Sequence, residues 1–529
     1  MKYSFLKLKL LCFSLISLNT FGNISNSPPN FIFLIAEDIS PDLPVYGDST
    51  IQTPALGKLA QHGVTYLNAY TISPVCAPSR SSIITGMYPT SIGTHHMRTQ
   101  SAREDIPNYD AVPPVHVKHF TEYLRAAGYY CFHWGKHDIQ YPSPVSSWDM
   151  DAEQKDFFDI PNDKPFFAMG NFNITHESNI WNRAELPLEV DPATINTPPY
   201  YPDDPVIRND MARYYSNIVE LDKRVGVFLH KAEQEGFLEN TYVFFVGDHG
   251  RALPRGKRNL YEQGIRVPFI IKHPGNKNKG TYEDRLISFV DIAPTILSLA
   301  EVDIPSHLQG KAFLGSKAAK PRTYIYAAKD RMGLVYDQVR VVRGQRFKYF
   351  RNFDPHIPIL QKSNYRDQMA MMERLYTMHE TNELNNYQER LFQTPKPTEE
   401  LYDLKYDPYE LNNLASKPEY QDTLKKLRAE NLDWMHMTHD MGFMDEIYMI
   451  HLMWPDLQQP QTKVPEFTKN GEELEITCGT TGASIVYRIS NNGQWKLYVQ
   501  PFIINENQTI EATAVRYGFK QSPIVKYIY

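Results

Sequence analysis

The sequence predicts an α/β protein built on a large, mostly parallel sheet, with a smaller α+β subdomain and a small β-sandwich appended at the C-terminus. Three observations predict it. Uninterrupted apolar runs alternate with helical patterns in the N-terminal part; beyond about Arg322 the alternation gives way to a hairpin pattern; and a Pro- and Gln-rich stretch precedes short β-prone segments at the end. The chain has 529 residues, too many for one compact core. The boundaries read as a leader over 1–27, an α/β unit over 28–325, an α+β subdomain over 326–454, a linker over 455–467 and a β-module over 468–529.

The leader has a basic start (Lys2, Lys7, Lys9), an apolar run from Leu10 to Leu18 and a small polar exit from Thr20 to Ser27. The run is shorter than the ~20 residues of a membrane span, so no span and a periplasmic or secreted protein are expected. Phe31 to Ala36 is a continuous apolar run ending in Glu37-Asp38, the pattern of a central strand buried on both faces. Similar runs recur at Tyr130–Trp134, Phe166–Met169 and Tyr242–Val246. Helical patterns at Pro54–His62, Val117–Ala127 and Asp210–Gln234 lie between them. In such sheets ligands bind beyond the carboxyl ends of the strands, so Glu37-Asp38 and Asp248-His249 point to one cleft. Val339–Val342 and Phe347–Phe350 read as paired strands around Arg343-Gly344, and Leu424–Met435 as a helix. Leu474–Ile476, Ser484–Ile489 and Thr509–Ala514 are the β-prone segments of the last module, which holds no evident titratable cluster.

Composition narrows the function. A net charge of −6 gives no electrostatic case for nucleic-acid binding, and 42% hydrophobic with 22% charged residues describes an ordinary globular chain. Aromatics at 13% suit a carbohydrate-handling protein or an aromatic-rich core. Of four cysteines, Cys76, Cys131 and Cys478 remain after the leader, an odd number that calls for a special role for one thiol in an exported chain.

Cys76-Ala77-Pro78-Ser79-Arg80, followed by Thr85-Gly86, resembles the signature of the type I sulfatases, in which this cysteine is oxidised to formylglycine. Other motifs match in the family's order: Ala36-Glu37-Asp38, Gly135-Lys136, Gly247-Asp248-His249-Gly250, and Gly256-Lys257 with Asn259 to Pro268. The resemblance spans nearly all of residues 29–450 and implies an alkaline-phosphatase-like fold and a maturation enzyme that makes formylglycine. It implies that Glu37, Asp38, Cys76, Asp248 and His249 surround Ca2+ or Mg2+, a hard ion suited to carboxylate oxygens. Lys136 and Lys257 would hold sulfate oxygens, Arg80 would orient the aldehyde hydrate, and His176 would give a proton to the leaving oxygen. Glu37 stands where the family has aspartate and His249 where it has asparagine. The family's Gly-Lys-x-His is here Gly135-Lys136-His137-Asp138, with the histidine one place early. His95, His96 and Arg98 follow the cysteine helix and are expected, with His137, to contact substrate.

Within the family, Asn259-Leu260-Tyr261, Glu400 to Asp403 and the stretch Trp434 to Asp440 resemble N-sulfoglucosamine sulfohydrolases, and bacterial relatives of this architecture resemble ulvan sulfatases. The expected activity is hydrolysis of sulfate esters on a sulfated carbohydrate. Alternatives are a sulfamidase, a phosphodiesterase or phosphatase of the same superfamily, and a non-catalytic glycan-binding protein.

Overall fold

The computed structural model describes residues 27–99, 106–151, 160–161, 163–489 and 493–529. Apart from Ser27, the expected leader lies outside the described residues. Nine strands form the main sheet: β1 (Asn30–Ala36), β2 (Gly63–Tyr70), β3 (Tyr130–Trp134), β4 (Met150–Asp151), β5 (Phe166–Phe172), β6 (Thr241–Gly247), β7 (Arg266–Val267), β8 (Phe269–Lys272) and β9 (Thr281–Ser288). Their order is β4-β3-β5-β1-β6-β8-β2-β7, with β9 also on β2. Pairing is parallel from β4 through β6 and between β2 and β9, and antiparallel around β8 and β7.

Strand β1 shows why its sequence does not alternate. Ile32, Leu34 and Ala36 pack under the helix Pro205–Gln234 with Ile207, Met211, Ile218 and Leu221. Phe31, Phe33 and Ile35 face the opposite core, with Ile83 and Ile84 from the cysteine helix and Ile292 and Ile296. Both faces are buried, so both need apolar side chains. The helix expected from Asp210 starts earlier, at Pro205. Asp204 caps it through the Val206 N–H at 2.9 Å, and Pro205 takes the first position, where no N–H is needed.

A second sheet, antiparallel, joins β10 (Ile325–Lys329), β11 (Val339–Arg343), β12 (Phe347–Asn352) and β13 (Glu399–Asp403). One face rests on the main unit through Tyr70, Leu260, Tyr261 and Leu286, and the other takes Leu424 and Leu427 of the helix Gln421–Met437.

The C-terminal strands are β14 (Pro465–Asn470), β15 (Glu473–Cys478), β16 (Ser484–Ile489), β17 (Lys496–Leu497), β18 (Phe502–Ile503), β19 (Thr509–Val515) and β20 (Val525–Ile528). Two antiparallel sheets, β14-β15-β18 and β17-β16-β19-β20, enclose Leu474, Ile476, Ile504, Ile510 and Ala512. This sandwich is docked on the main unit. Tyr517 OH donates to Glu122 Oε1 at 2.5 Å, Lys118 Nζ to Gly482 O at 2.7 Å, and Ser484 Oγ to Glu122 Oε2 at 2.6 Å. No helix among the described residues is long and apolar enough to cross a membrane.

Candidate active site

Four neighbouring parallel strands, β3, β5, β1 and β6, end on the same edge of the sheet, and each delivers polar side chains there. Strand β1 runs into Glu37-Asp38, β6 into Asp248-His249, β3 into Gly135-Lys136, and β5 into Asn171 and then His176-Glu177. The cysteine arrives from another direction, as the first residue of the helix Cys76–Thr85. Pro78 is tolerated in the first turn, and Gly86 ends the helix in the left-handed region (φ 67°). All ten residues of this helix are buried, and its hydroxyls find partners. Ser79 Oγ donates to Asp248 O at 2.5 Å, and Ser82 Oγ donates to Ser79 O at 2.7 Å. The positive end of the helix dipole therefore points at residue 76.

Asp38, Cys76, Asp248 and His249 form a buried cluster whose ligand atoms lie within 4.8 Å of one another. His249 Nε2 is 3.3 Å from Cys76 Sγ and 3.0 Å from Asp38 Oδ1. His249 Nδ1 lies 3.0 Å from Gly250 O, a carbonyl that accepts its N–H and leaves Nε2 facing the cluster. Asp38 has φ 52°, which turns it inward, and its backbone N–H donates to Asp248 Oδ1 at 2.9 Å. Burial raises the Asp38 pKa, but Lys257 and His249 outweigh it and hold the carboxyl well below its usual range. Asp248 is likewise raised by burial and lowered overall by His249 and Arg80.

Glu37 is placed differently. Its Oε1 lies 3.3 Å from Arg80 Nη2 and 3.2 Å from Lys136 Nζ, and it accepts from Asn171 Nδ2 at 3.0 Å. Among the described residues it is not part of the ligand cluster. Arg80 also donates to Asp248 Oδ2 at 3.0 Å and to Asn171 Oδ1 at 2.5 Å. Lys257 Nζ sits 2.7 Å from Asp38 Oδ2 and 3.0 Å from Glu177 Oε1. Glu177 binds Arg258 with both oxygens, at 2.6 and 2.7 Å, and its backbone N–H donates to Asp38 Oδ2. Burial raises Glu177, yet Arg258 and Lys257 bring it down to about 2.

A cleft of about 730 Å³ opens over these groups, lined among others by Glu37, Arg98, Lys136, Asn171, Asn173, His176, Lys257, Arg258 and Tyr365. His176 Nδ1 lies 2.8 Å from Ser178 Oγ and accepts from the Ser178 backbone N–H at 3.3 Å. That engagement leaves the proton of the neutral ring on Nε2. Burial and Lys257 lower the His176 pKa, against the pull of Asp38 and Glu37.

The structure thus brings together Cys76, Arg80, Lys136, His176, Lys257, Glu37, Asp38, Asp248 and His249, with Arg98 on the rim. It places His95 and His96 in the interior, 3% and 1% exposed, with His96 Nε2 3.8 Å from Glu446 Oε2. His137 points away from the cleft to Asp151, at 2.7 Å. Sequence reasoning missed Asn171, Glu177, Arg258 and Asp138, which pairs with both Lys136 and Arg98. The acidic neighbours in His176-Glu177 and His137-Asp138 were the available signal, since buried lysines need counter-charges.

A family model described as Sulfatase matches residues 29–152 and 145–302. An ulvan-active sulfatase of Formosa agariphila is 40% identical, over 94% of this chain and 91% of its own length. The N-sulphoglucosamine sulphohydrolase of Homo sapiens is 24% identical over 78% of this chain and 91% of its own. A solved 2-O GAG sulfatase shares the fold, with a TM-score of 0.56 and 22% identity over 78% of this chain and 93% of that one. A buried cysteine at a helix start, facing carboxylates and lysines at the strand ends, agrees with this kinship: the chain belongs to the sulfatase family and is a sulfuric ester hydrolase.

Proposed function

We propose that this chain removes sulfate esters from ulvan or a similarly sulfated polysaccharide, using formylglycine made from Cys76 and a bound Ca2+ or Mg2+. The observation that carries the reading is the cluster of Cys76 with Asp38, Asp248 and His249 beneath a lysine-lined cleft. The donor set fits a divalent ion. Asp38 Oδ1 is fully buried and meets His249 Nε2 at 3.0 Å, so a carboxylate oxygen and an imidazole nitrogen are already side by side. Asp38, Asp248 and His249 would hold the ion, with residue 76 beside it. When present, the ion supplies Lewis acidity toward a sulfate oxygen, and the oxidised residue 76 supplies a hydroxyl nucleophile.

The chain's own groups do the rest. Lys136 and Lys257 bind the remaining sulfate oxygens and offset the charge that repels a nucleophile. Arg80, anchored on Asp248 and Asn171, fixes the geometry at residue 76. Glu37 holds Lys136 and Arg80 in place. His176 Nε2 carries the proton for the leaving sugar oxygen, with Ser178 setting its tautomer. Tyr365 is 47% exposed on the cleft wall, its ring 5.1 Å from Trp181 and 6.4 Å from His176, and offers an apolar face to the sugar. Cys76 is wholly buried, so its oxidation by a maturation enzyme belongs before folding is complete, and the leader directs the chain to the periplasm or beyond.

Sulfate release from ulvan, heparan, carrageenan and fucoidan oligosaccharides tests this, with protein co-produced with a maturation enzyme. Ulvan turnover that Cys76→Ala abolishes is expected. Full activity of Cys76→Ala would sink the mechanism. Exclusive release from N-sulfated glucosamine, or turnover of phosphate esters alone, would replace the substrate assignment.

A further inference from the structure

Most of the cations that line the cleft are fully engaged by the chain itself. Lys136 leans on Glu37 and Asp138, and Lys257 on Asp38 and Glu177. Arg258 gives both of its Nη atoms to Glu177, at 2.6 and 2.7 Å, and its side chain is only 20% exposed. Arg98 differs. Its side chain is 46% exposed on the cleft wall, and among the described residues it bonds one carboxylate, Asp138, through Nη1 alone. That leaves Nη2 and Nε, an edge of donors of the kind that grips a planar anion, for a partner from outside the chain.

Arg98 is also held in place, by its backbone and by its partner. Its carbonyl accepts from Arg331 Nη2 at 3.0 Å, and the Met97 N–H donates to Arg331 O at 2.9 Å. Arg331 is fully buried, with Nε and Nη2 on the two oxygens of Glu446 at 2.6 Å each. Asp138 is 10% exposed and bridges Arg98 to Lys136, whose Nζ lies 3.3 Å from its other oxygen. Burial raises the Asp138 pKa, but Lys136 and Arg98 bring it down to about 2, so the bridge stays charged. One carboxylate thus sets the spacing between a sulfate-binding lysine and a second, more open cation. The acids that line the cleft, Glu37 and Glu177, are each taken by an arginine and a lysine, which offsets their charge toward an incoming anion. At about 730 Å³ the cleft has room for sugar units as well as for a sulfate group.

We propose that Arg98 determines specificity by binding a second anionic group of the carbohydrate, a uronate carboxylate or another sulfate, while Lys136 and Lys257 hold the sulfate to be cleaved. This role rests on the sulfatase activity proposed above and specifies its substrate class: sugars with two negative groups on one ring or on neighbouring rings. The guanidinium meets such a group with two parallel donors, where a lysine would offer only a point charge. Charged hydrogen bonds of this kind correspond to about 10- to 100-fold in affinity.

Calorimetric binding to the unreactive Cys76→Ala protein, with Ca2+ present, separates this role from turnover. One pair of probes is a sulfated oligosaccharide with a uronate residue and the same compound with its carboxyl reduced to the alcohol. The other pair is a neutral oligosaccharide in disulfated and monosulfated form. Protein that keeps Arg98 should bind the more charged member of at least one pair about tenfold or more tightly. A preference in the first pair identifies a carboxylate, and one in the second a further sulfate. Adding Arg98→Ala should bring the ratio to about one, and Arg98→Lys should retain part of it. In active protein the same preference should appear in KM. Equal affinity within both pairs overturns the proposal, with no Arg98 variant required to fold. So does a ratio that survives Arg98→Ala, even where all four probes bind more weakly, because a merely structural arginine would act on them alike. Absence of sulfate release by protein that carries formylglycine would instead refute the sulfatase activity, an outcome the binding ratio does not depend on.

Discussion

Lys136 and Lys257 bring the same charge to the cleft from different surroundings, and their substitutions should separate accordingly. The Lys136 side chain is 27% exposed and leans on Glu37 and Asp138. Lys136→Ala is expected to lower kcat/KM for sulfate esters about 100-fold or more with little change in thermal unfolding. Lys257 is buried between Asp38 and Glu177. Lys257→Ala should lose activity similarly and also lower stability by roughly 3 kcal/mol, because two buried carboxylates lose their counter-charge; denaturant unfolding checks the difference. At this scale Cys76, Arg80, Asp38 and Asp248 were legible in the sequence as motif residues. Glu37 was not, because adjacent residues at a strand end point to different sides. The left-handed turn at Asp38 sends one carboxylate to the cluster and leaves the other to Arg80 and Lys136.

At the scale of elements, the helix Pro205–Gln234 carries a titration of its own. Asp210 accepts the Met371 backbone N–H at 2.8 Å, capping the helix Ala370–Glu380 from a neighbouring element. Burial raises its pKa from 3.8 to about 6, against that hydrogen bond. Between these values the folded protein holds a proton that the unfolded chain has released, so stability falls as pH rises through the window. Asp210→Asn keeps the acceptor and removes the charge. It should stabilise the protein by up to about 3 kcal/mol above pH 6 and change little near pH 4; thermal unfolding as a function of pH is the measurement. An unchanged slope would refute the assignment. The strands β1 and β3 were legible nearly to the residue, since runs buried on both faces leave no ambiguity of period. The helix start at Pro205 was missed because its first turn is marked by the Asp204 cap and the proline rather than by an amphipathic repeat.

At the scale of the whole molecule, a buried aromatic joins the polar contacts that dock the terminal sandwich on the main unit. Tyr517 is 1% exposed, donates to Glu122 Oε1 and packs on His119 and Tyr141 with ring centroids 4.7 and 5.6 Å away. Tyr517→Ala is expected to destabilise the protein by roughly 3–5 kcal/mol, while the remaining folded fraction turns over sulfate normally. Unfolding at the wild-type denaturant midpoint would mean that the docking is only a surface contact. The same long-range packing moved His95 and His96 off the cleft. Asp330, Asp440 and Glu446, far along the chain, enclose them, and burial lowers both pKa values.

By itself the sequence determined the layers of the fold and singled out Cys76, the lysines and the acidic strand ends. These follow from periodicity and from local motifs that a parallel sheet must place at one edge. The tertiary structure alone decided which carboxylate joins the cluster, which histidines reach the cleft and which pair elsewhere. Those choices depend on backbone direction at single residues and on counter-charges supplied from distant segments, neither of which local spacing encodes.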